Sequence, residues 1–346
     1  MFRSPVRCAI SSCTDSMTAP DPVGRRKAGT RWYTRGSSHS SGVGVVRYLK
    51  LLVHDAIGIF GFALTASMLP ERVAARWLGL GARFHRGHPD IDAAEEAADR
   101  CWPTRAFDRR EFRRMTLAEA AAAWRLILGR RLRVDLNGAW PGSPGFAAIG
   151  GHYGAGIAVL WSLREAGLRP RFALHPPNRG QLRHRPLGYL WSLLRFRLVR
   201  RLCPDGPVVT PGAYETLDRI LVEGETTPVL LLDTPATTAE ADDSPWAIDL
   251  GRCRLPLRQG ARRLVETHDV DRVMFWARSC PETGEVQIDI QPVAGSLSDG
   301  WPRSAHRVIE AQPEQWQFWP FVRGALRDST PNADPGDDRE TPRNSV

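Results

Sequence analysis

Residues 145–160 read GFAAIGGHYGAGIAVL, a short apolar run that passes through a glycine-rich turn into a second apolar run. His152 sits in that turn. An imidazole is in part a neutral base near neutral pH, and neighbouring glycines leave a substrate hydroxyl room to approach it. Residues 227–234, TPVLLLDT, form a buried-strand pattern that ends on Asp233. A carboxylate in that place serves a site or caps the turn that follows. Other chemistries find no support. There is no G-x-S-x-G elbow for a serine nucleophile, and 151–156, GHYGAG, fits neither the dinucleotide fingerprint nor the phosphate-binding loop. Cys8, Cys13, Cys101, Cys203, Cys253 and Cys280 are scattered, with no C-x-x-C pair and no histidine cluster at zinc spacing. They read as reduced thiols of a cytosolic compartment, and no metal site is expected.

Downstream of His152, residues 166–204 carry nine arginines and no Asp or Glu. A planar guanidinium matches phosphate, so this block reads as a surface facing an anionic lipid, a phosphopantetheine carrier or an acidic carrier protein. Arg179, Arg195 and Arg197 are the candidate phosphate ligands. The competing reading is an ordinary helix face in an arginine-rich chain, since only Lys27 and Lys50 among the 47 basic residues are lysines. No zinc finger or RNP-type aromatic motif accompanies the charge, and nucleic acid is not expected as a partner.

These residues need elements to hold them. Short apolar runs at 132–136, 146–149, 171–174, 228–232, 272–277 and 286–292 read as strands. Amphipathic stretches at about 155–167, 187–201, 212–223 and 257–267 read as helices. Such alternation predicts an α/β fold with a largely parallel central sheet flanked by helices, and a strand's carboxyl end is where its ligands bind. Ahead of it lie helical patterns at about 71–83, 90–101 and 116–129, and an apolar N-terminal helical region. Within that region, 51–69 approaches membrane-spanning length but is interrupted by His54 and Asp55 and weakened by Gly58 and Gly61. Arg47, Lys50, Arg72 and Arg76 flank it. A helix lying in the headgroup layer, a membrane span and a buried core helix all remain open for it.

The whole chain has 346 residues, 42% hydrophobic and 25% charged, with a formal net charge of +9. That excludes a wholly disordered, collagen-like or polytopic membrane protein. Residues 1–42 contribute +5 and 328–346 contribute −3, which leaves +7 in the interior. Both ends are expected to be disordered. The interior divides into a helical membrane-associating region, 43–130, and an α/β region, 131–327, continuous with it.

With these blocks in order, the chain resembles the lipid A lauroyl/myristoyl acyltransferase family of the lysophospholipid acyltransferase superfamily. The matching pieces are residues 151–154, GHYG; the basic block 176–201; 230–233, LLLD; 248–251, IDLG; and 311–319, AQPEQWQFW. The resemblance spans about 45–325. It implies O-acylation of a glycolipid or lysophospholipid, with acyl carrier protein or coenzyme A thioester as donor and no bound cofactor, at the cytoplasmic face of a bacterial inner membrane. The chain would be peripheral or anchored by 43–69, with an anionic membrane lipid as partner. His152 would take the hydroxyl proton. One departure stands out: the family's H-x-x-x-x-[D/E] motif has its acid five residues on, where this chain has Ile157. Either Asp233, or more remotely Asp135, orients the imidazole instead, or His152 works unassisted, or the chain is a catalytically inactive homologue acting as a lipid-binding or scaffold protein.

Overall fold

The computed structural model describes residues 41–84, 86–210, 212–236 and 246–328. In chain order, α1 (Ser41–Asp55) runs through a π-helical stretch (Ala56–Ala63) into α2 (Leu64–Met68), and α3 (Glu71–Gly81), α4 (Pro89–Cys101) and α5 (Arg109–Ile127) follow. Next come β1 (Val134–Asn137), β2 (Phe146–Gly150), α6 (Ile157–Glu165), β3 (Pro170–Leu174), α7 (Gln181–His184), α8 (Pro186–Leu202), β4 (Val208–Val209), α9 (Ala213–Glu223) and β5 (Thr227–Leu231). The chain continues with β6 (Ala247–Leu250), β7 (Cys253–Pro256), α10 (Gly260–Thr267), β8 (Asp271–Cys280) and β9 (Glu285–Pro292). It ends with α11 (Leu297–Ala311), a 3-10 turn (Pro313–Gln315), α12 (Trp319–Val322) and β10 (Arg327–Asp328).

The fold is mixed α/β with a mostly parallel central sheet. Seven strands lie in the order β1-β9-β8-β2-β5-β3-β4, and a separate three-stranded sheet has the order β10-β7-β6. From β8 to β4 neighbouring strands are parallel; β9 runs antiparallel to β8 and carries β1 alongside it in parallel. All five residues of β2 are buried, as a central strand covered on both faces requires. Their alternation divides them between two cores. Phe146 and Ala148 join Leu117, Trp124, Ile157 and Leu198 on the face covered by α5, α6 and α8. Ala147 and Ile149 join Ile91, Leu217, Leu264 and Trp301 on the face covered by α4, α9, α10 and α11.

The N-terminal helix packs one side against α5. Side chains of α5 and the residues just after it bond to its carbonyls: Trp124 Nε1 donates to Ile59 O at 2.9 Å, Arg113 Nη2 to His54 O at 3.3 Å and Arg130 Nη1 to Ser67 O at 2.7 Å. The first two serve carbonyls at the π-helical widening, where intrahelical pairing is displaced. Its other side leaves Leu49, Val53 and Ile57 exposed, one turn apart. The stretch Tyr48–Met68 is long and apolar enough to cross a membrane by length and composition, with 28% of its apolar window buried. The described residues from Gly42 to Asp328 group as one unit.

Several expectations need correcting. α5 starts at Arg109 rather than near Thr116, because the Asp108 carboxylate accepts from the amides of Arg110 and Glu111 and caps it. The β6–β7 hairpin, β4 and β10 were not among the predicted strands. The arginine block of 166–204 is compensated in part: Arg169 pairs with Asp205, Arg185 with Asp55 and Asp90, and Arg195 with Glu119, while Arg201 donates to carbonyls at the end of α5. Most of these partners lie far away in sequence. The extension expected over 1–42 lies outside the described residues except for its last two, and the tail expected over 328–346 lies outside them except for Asp328.

Candidate active site

Strand register assembles the site. β2 and β5 are adjacent and parallel, with Gly150 opposite Leu231, and Leu232 N donates to Gly150 O at 2.9 Å. Two residues past each end of that pairing stand His152 and Asp233. They meet side chain to side chain, His152 Nδ1 lying 2.7 Å from Asp233 Oδ1, and His152 N–H donates to Oδ2 at 2.6 Å. Asp135, the other carboxylate considered, sits on edge strand β1, three strands from β2, and takes no part.

Glycine is required in this turn for space as well as conformation. Gly154 has φ +55°, and a Cβ there would run into the Ala277 carbonyl. A Cβ on Gly151 would come within 3.1 Å of Asp233 Oδ2. These clearances let β5 deliver its carboxylate directly beneath the histidine.

The 311–319 stretch closes over the pair. Trp316 Nε1 donates to Asp233 Oδ2 at 2.9 Å from a fully buried indole, and the Phe318 ring stacks on the imidazole at 4.2 Å. Gln315 fastens the segment to the sheet: its amide group exchanges hydrogen bonds with both Ser279 N and Ser279 O, at 2.9 and 2.8 Å, while its backbone carbonyl accepts from Gly154 N. Gln317 N donates to His152 O. Alone, the P-E-Q-W string reads as a helix start with tryptophan packing. The observed 3-10 turn brings the indole donor, the stacking ring and the amide clamp to one place. Neither Trp316 nor Phe318 carried a signal of its own beyond membership in that aromatic string.

Asp233 is 1% exposed. Burial alone would favour its neutral form, but the His152 charge and ring N–H, the Trp316 indole and the His152 amide outweigh it, holding its carboxyl below the usual carboxylate range. An ionised, buried carboxylate bonded to Nδ1 selects the tautomer with the proton on that nitrogen. Nε2 is left as the basic position, on a side chain 34% exposed. Among the described residues no protein group bonds to Nε2.

Ile157 is the first residue of α6, buried in the core on the α5 face. Arg179 and Arg197 are exposed, and Arg195 is held by Glu119 at 2.7 Å. Among the described residues, no hydrogen bond, ion pair or ring contact joins any of these three arginines to the His152–Asp233 pair. Beside Gln315 lies a 250 Å³ pocket whose wall includes Glu111, Met115, Ser279 and Cys280. Among the described residues no group of three or more His, Cys, Asp or Glu is placed to hold a metal ion. In comparisons with known proteins, no family model matches the chain and no curated protein matches it.

Proposed function

We propose that the chain is a membrane-associated O-acyltransferase acting on a lipid hydroxyl, with His152 as general base and Asp233 as the residue that orients it. The observation that carries this reading is the buried Asp233 carboxylate, 2.7 Å from His152 Nδ1 at the carboxyl ends of two adjacent parallel strands. It supplies what Ile157 cannot and weighs against the reading of an inactive scaffold. Order and character of the blocks around it support an acyl donor of the acyl carrier protein or coenzyme A thioester class and a glycolipid or lysophospholipid acceptor.

In that reaction Nε2 takes the acceptor's hydroxyl proton as the oxygen attacks the thioester carbonyl. The tetrahedral intermediate collapses by breaking the C–S bond, and the imidazolium returns its proton to the departing thiolate. The products are an ester and a free thiol, and no redox partner is needed. Asp233 stays ionised and offsets the charge that His152 carries midway. The helix Tyr48–Met68 and its exposed row Leu49, Val53 and Ile57 support a location on the cytoplasmic face of a bacterial inner membrane.

The test is transfer from labelled acyl thioesters to a panel of lipid acceptors. Wild-type protein should transfer, and His152→Ala should fall by about 10²–10⁴-fold, the usual worth of a positioned base. Transfer that survives His152→Ala unchanged refutes the assignment.

A further inference from the structure

Away from the His152–Asp233 pair, α3 and α5 face each other across an open groove of about 640 Å³. Each helix lines it with two arginines a turn apart, Arg72 and Arg76 on α3 and Arg110 and Arg114 on α5. Three carboxylates share the wall, and each is already engaged. Asp108 caps α5, and Glu111 and Glu282 both pair with Arg114, at 3.6 and 3.0 Å. Among the described residues no carboxylate is within ion-pairing range of Arg72, Arg76 or Arg110, and Arg110 reaches only the Gly79 carbonyl, at 3.4 Å. Three exposed guanidiniums converging on one groove repel one another unless an anion sits among them. Their forked donors match the oxygens of phosphate.

We infer that the α3–α5 groove is a phosphate-binding site, taking a phosphomonoester or pyrophosphate group carried on a lipid headgroup or free in solution. Its place favours contact with a membrane. α3 follows directly on the apolar Tyr48–Met68 helix, and Met68, Val73, Leu80 and Phe84 are exposed along this part of the chain, so an arginine-lined groove adjoins an apolar surface. It also adjoins the candidate active site. The groove and the pocket beside Gln315 share Glu111 and Glu282 in their walls, and Gln315 holds the Gly154 amide of the histidine turn. The site involves neither member of the His–Asp pair, so its test is independent of the proposed reaction.

Gly79 offers a clean perturbation, because a Cβ there meets nothing within 4 Å and the residue lies in the groove wall. Gly79→Glu would place a carboxylate among the arginines with room to spare. The full-length protein, its Gly79→Glu variant and an Arg72→Gln/Arg76→Gln variant are compared in two assays. One is sedimentation with phosphatidylcholine vesicles with and without phosphatidic acid; the other is calorimetry with inorganic pyrophosphate. Circular dichroism and thermal melts confirm that the variants are folded.

Removal of two arginines is expected to weaken binding about thirtyfold, at roughly fivefold for each cation near an anionic surface, and Gly79→Glu should weaken it at least as much. A loss confined to phosphatidic acid vesicles identifies a lipid headgroup, and a parallel loss with pyrophosphate identifies a free phosphate ligand. Wild-type protein that binds neither probe overturns the proposal, as does Gly79→Glu protein that binds both as wild type does.

Discussion

Asp233 Oδ2 accepts from a backbone amide and an indole while Oδ1 meets the imidazole, so its ionisation is tied to folding. A carboxyl held below its ordinary range contributes stability that is fully present above the unfolded value, near 4, and lost as pH falls through the folded one. Trp316→Phe removes one charge-assisted bond, worth about 1.5–3 kcal/mol. Its acid-unfolding midpoint, followed by circular dichroism, should move to higher pH than that of wild type; an unmoved midpoint would mean that the indole does not hold the charge. Ile157→Glu tests the neighbouring position. Because Ile157 packs in the core, a carboxylate there lies in apolar surroundings and should cost about 3–5 kcal/mol in urea titration, with no gain in transfer. A gain in transfer would mean that the motif acid had simply been lost. His152 and Asp233 were each legible in sequence, the one from its glycine-rich turn and the other from the end of its apolar run. Their partnership was not, since it depends on β2 and β5 being neighbours, which no spacing across 81 residues encodes. Likewise the pairing of Arg185 and Arg195 was invisible in sequence, because Asp55, Asp90 and Glu119 approach from other helices.

Helices α4 and α5, the α7–α8 junction and the end of α1 meet around a half-buried ionic cluster. Arg185 bridges Asp55 and Asp90, and His88 caps α4 by accepting from Asp90 N at 3.2 Å, its ring 4.9 Å from that of His54. Burial lowers the His88 pKa from 6.5 to about 3, reinforced by Arg113, Arg185 and His54 and opposed by Asp90. The unfolded chain therefore binds more protons between those two values. Stability should fall there by up to about 1.4 kcal/mol for each pH unit of acidification. His88→Asn keeps a capping acceptor and removes the titration, so its stability should decline less steeply from pH 6.5 downward, as chemical denaturation at several pH values would reveal. Equal slopes for the two proteins would exclude His88 as the source. At this scale most of the alternation was legible: β2, β3, β5, β8, β9 and helices α6, α8, α9 and α10 lie close to their predicted ranges. β6 and β7 were not, for they pair only with each other and with β10 in a second sheet, and their short runs are interrupted by Asp249, Arg252 and Arg254.

For the whole molecule, the N-terminal helix is held to α5 on one side and leaves an apolar row on the other, and it adjoins α3 with its groove arginines. Leu49, Val53 and Ile57 are each 42–52% exposed, so burying the row in a lipid interface gains roughly 1 kcal/mol for each residue. Replacing all three by serine should weaken binding to anionic vesicles by about one to two orders of magnitude while leaving the melting temperature nearly unchanged. Unaltered vesicle binding would remove that face from any membrane role. We propose that His152 and Asp233 act as one base, a claim that a double-mutant cycle on single-turnover acyl transfer puts to the test. His152→Ala, Asp233→Asn and the double variant are compared with wild type on a lipid acceptor. Residues that act as a unit give non-additive losses, so the double variant should be no slower than His152→Ala, itself down by about 10²–10⁴-fold. Losses that multiply, or an Asp233→Asn enzyme as fast as wild type, would contradict the claim.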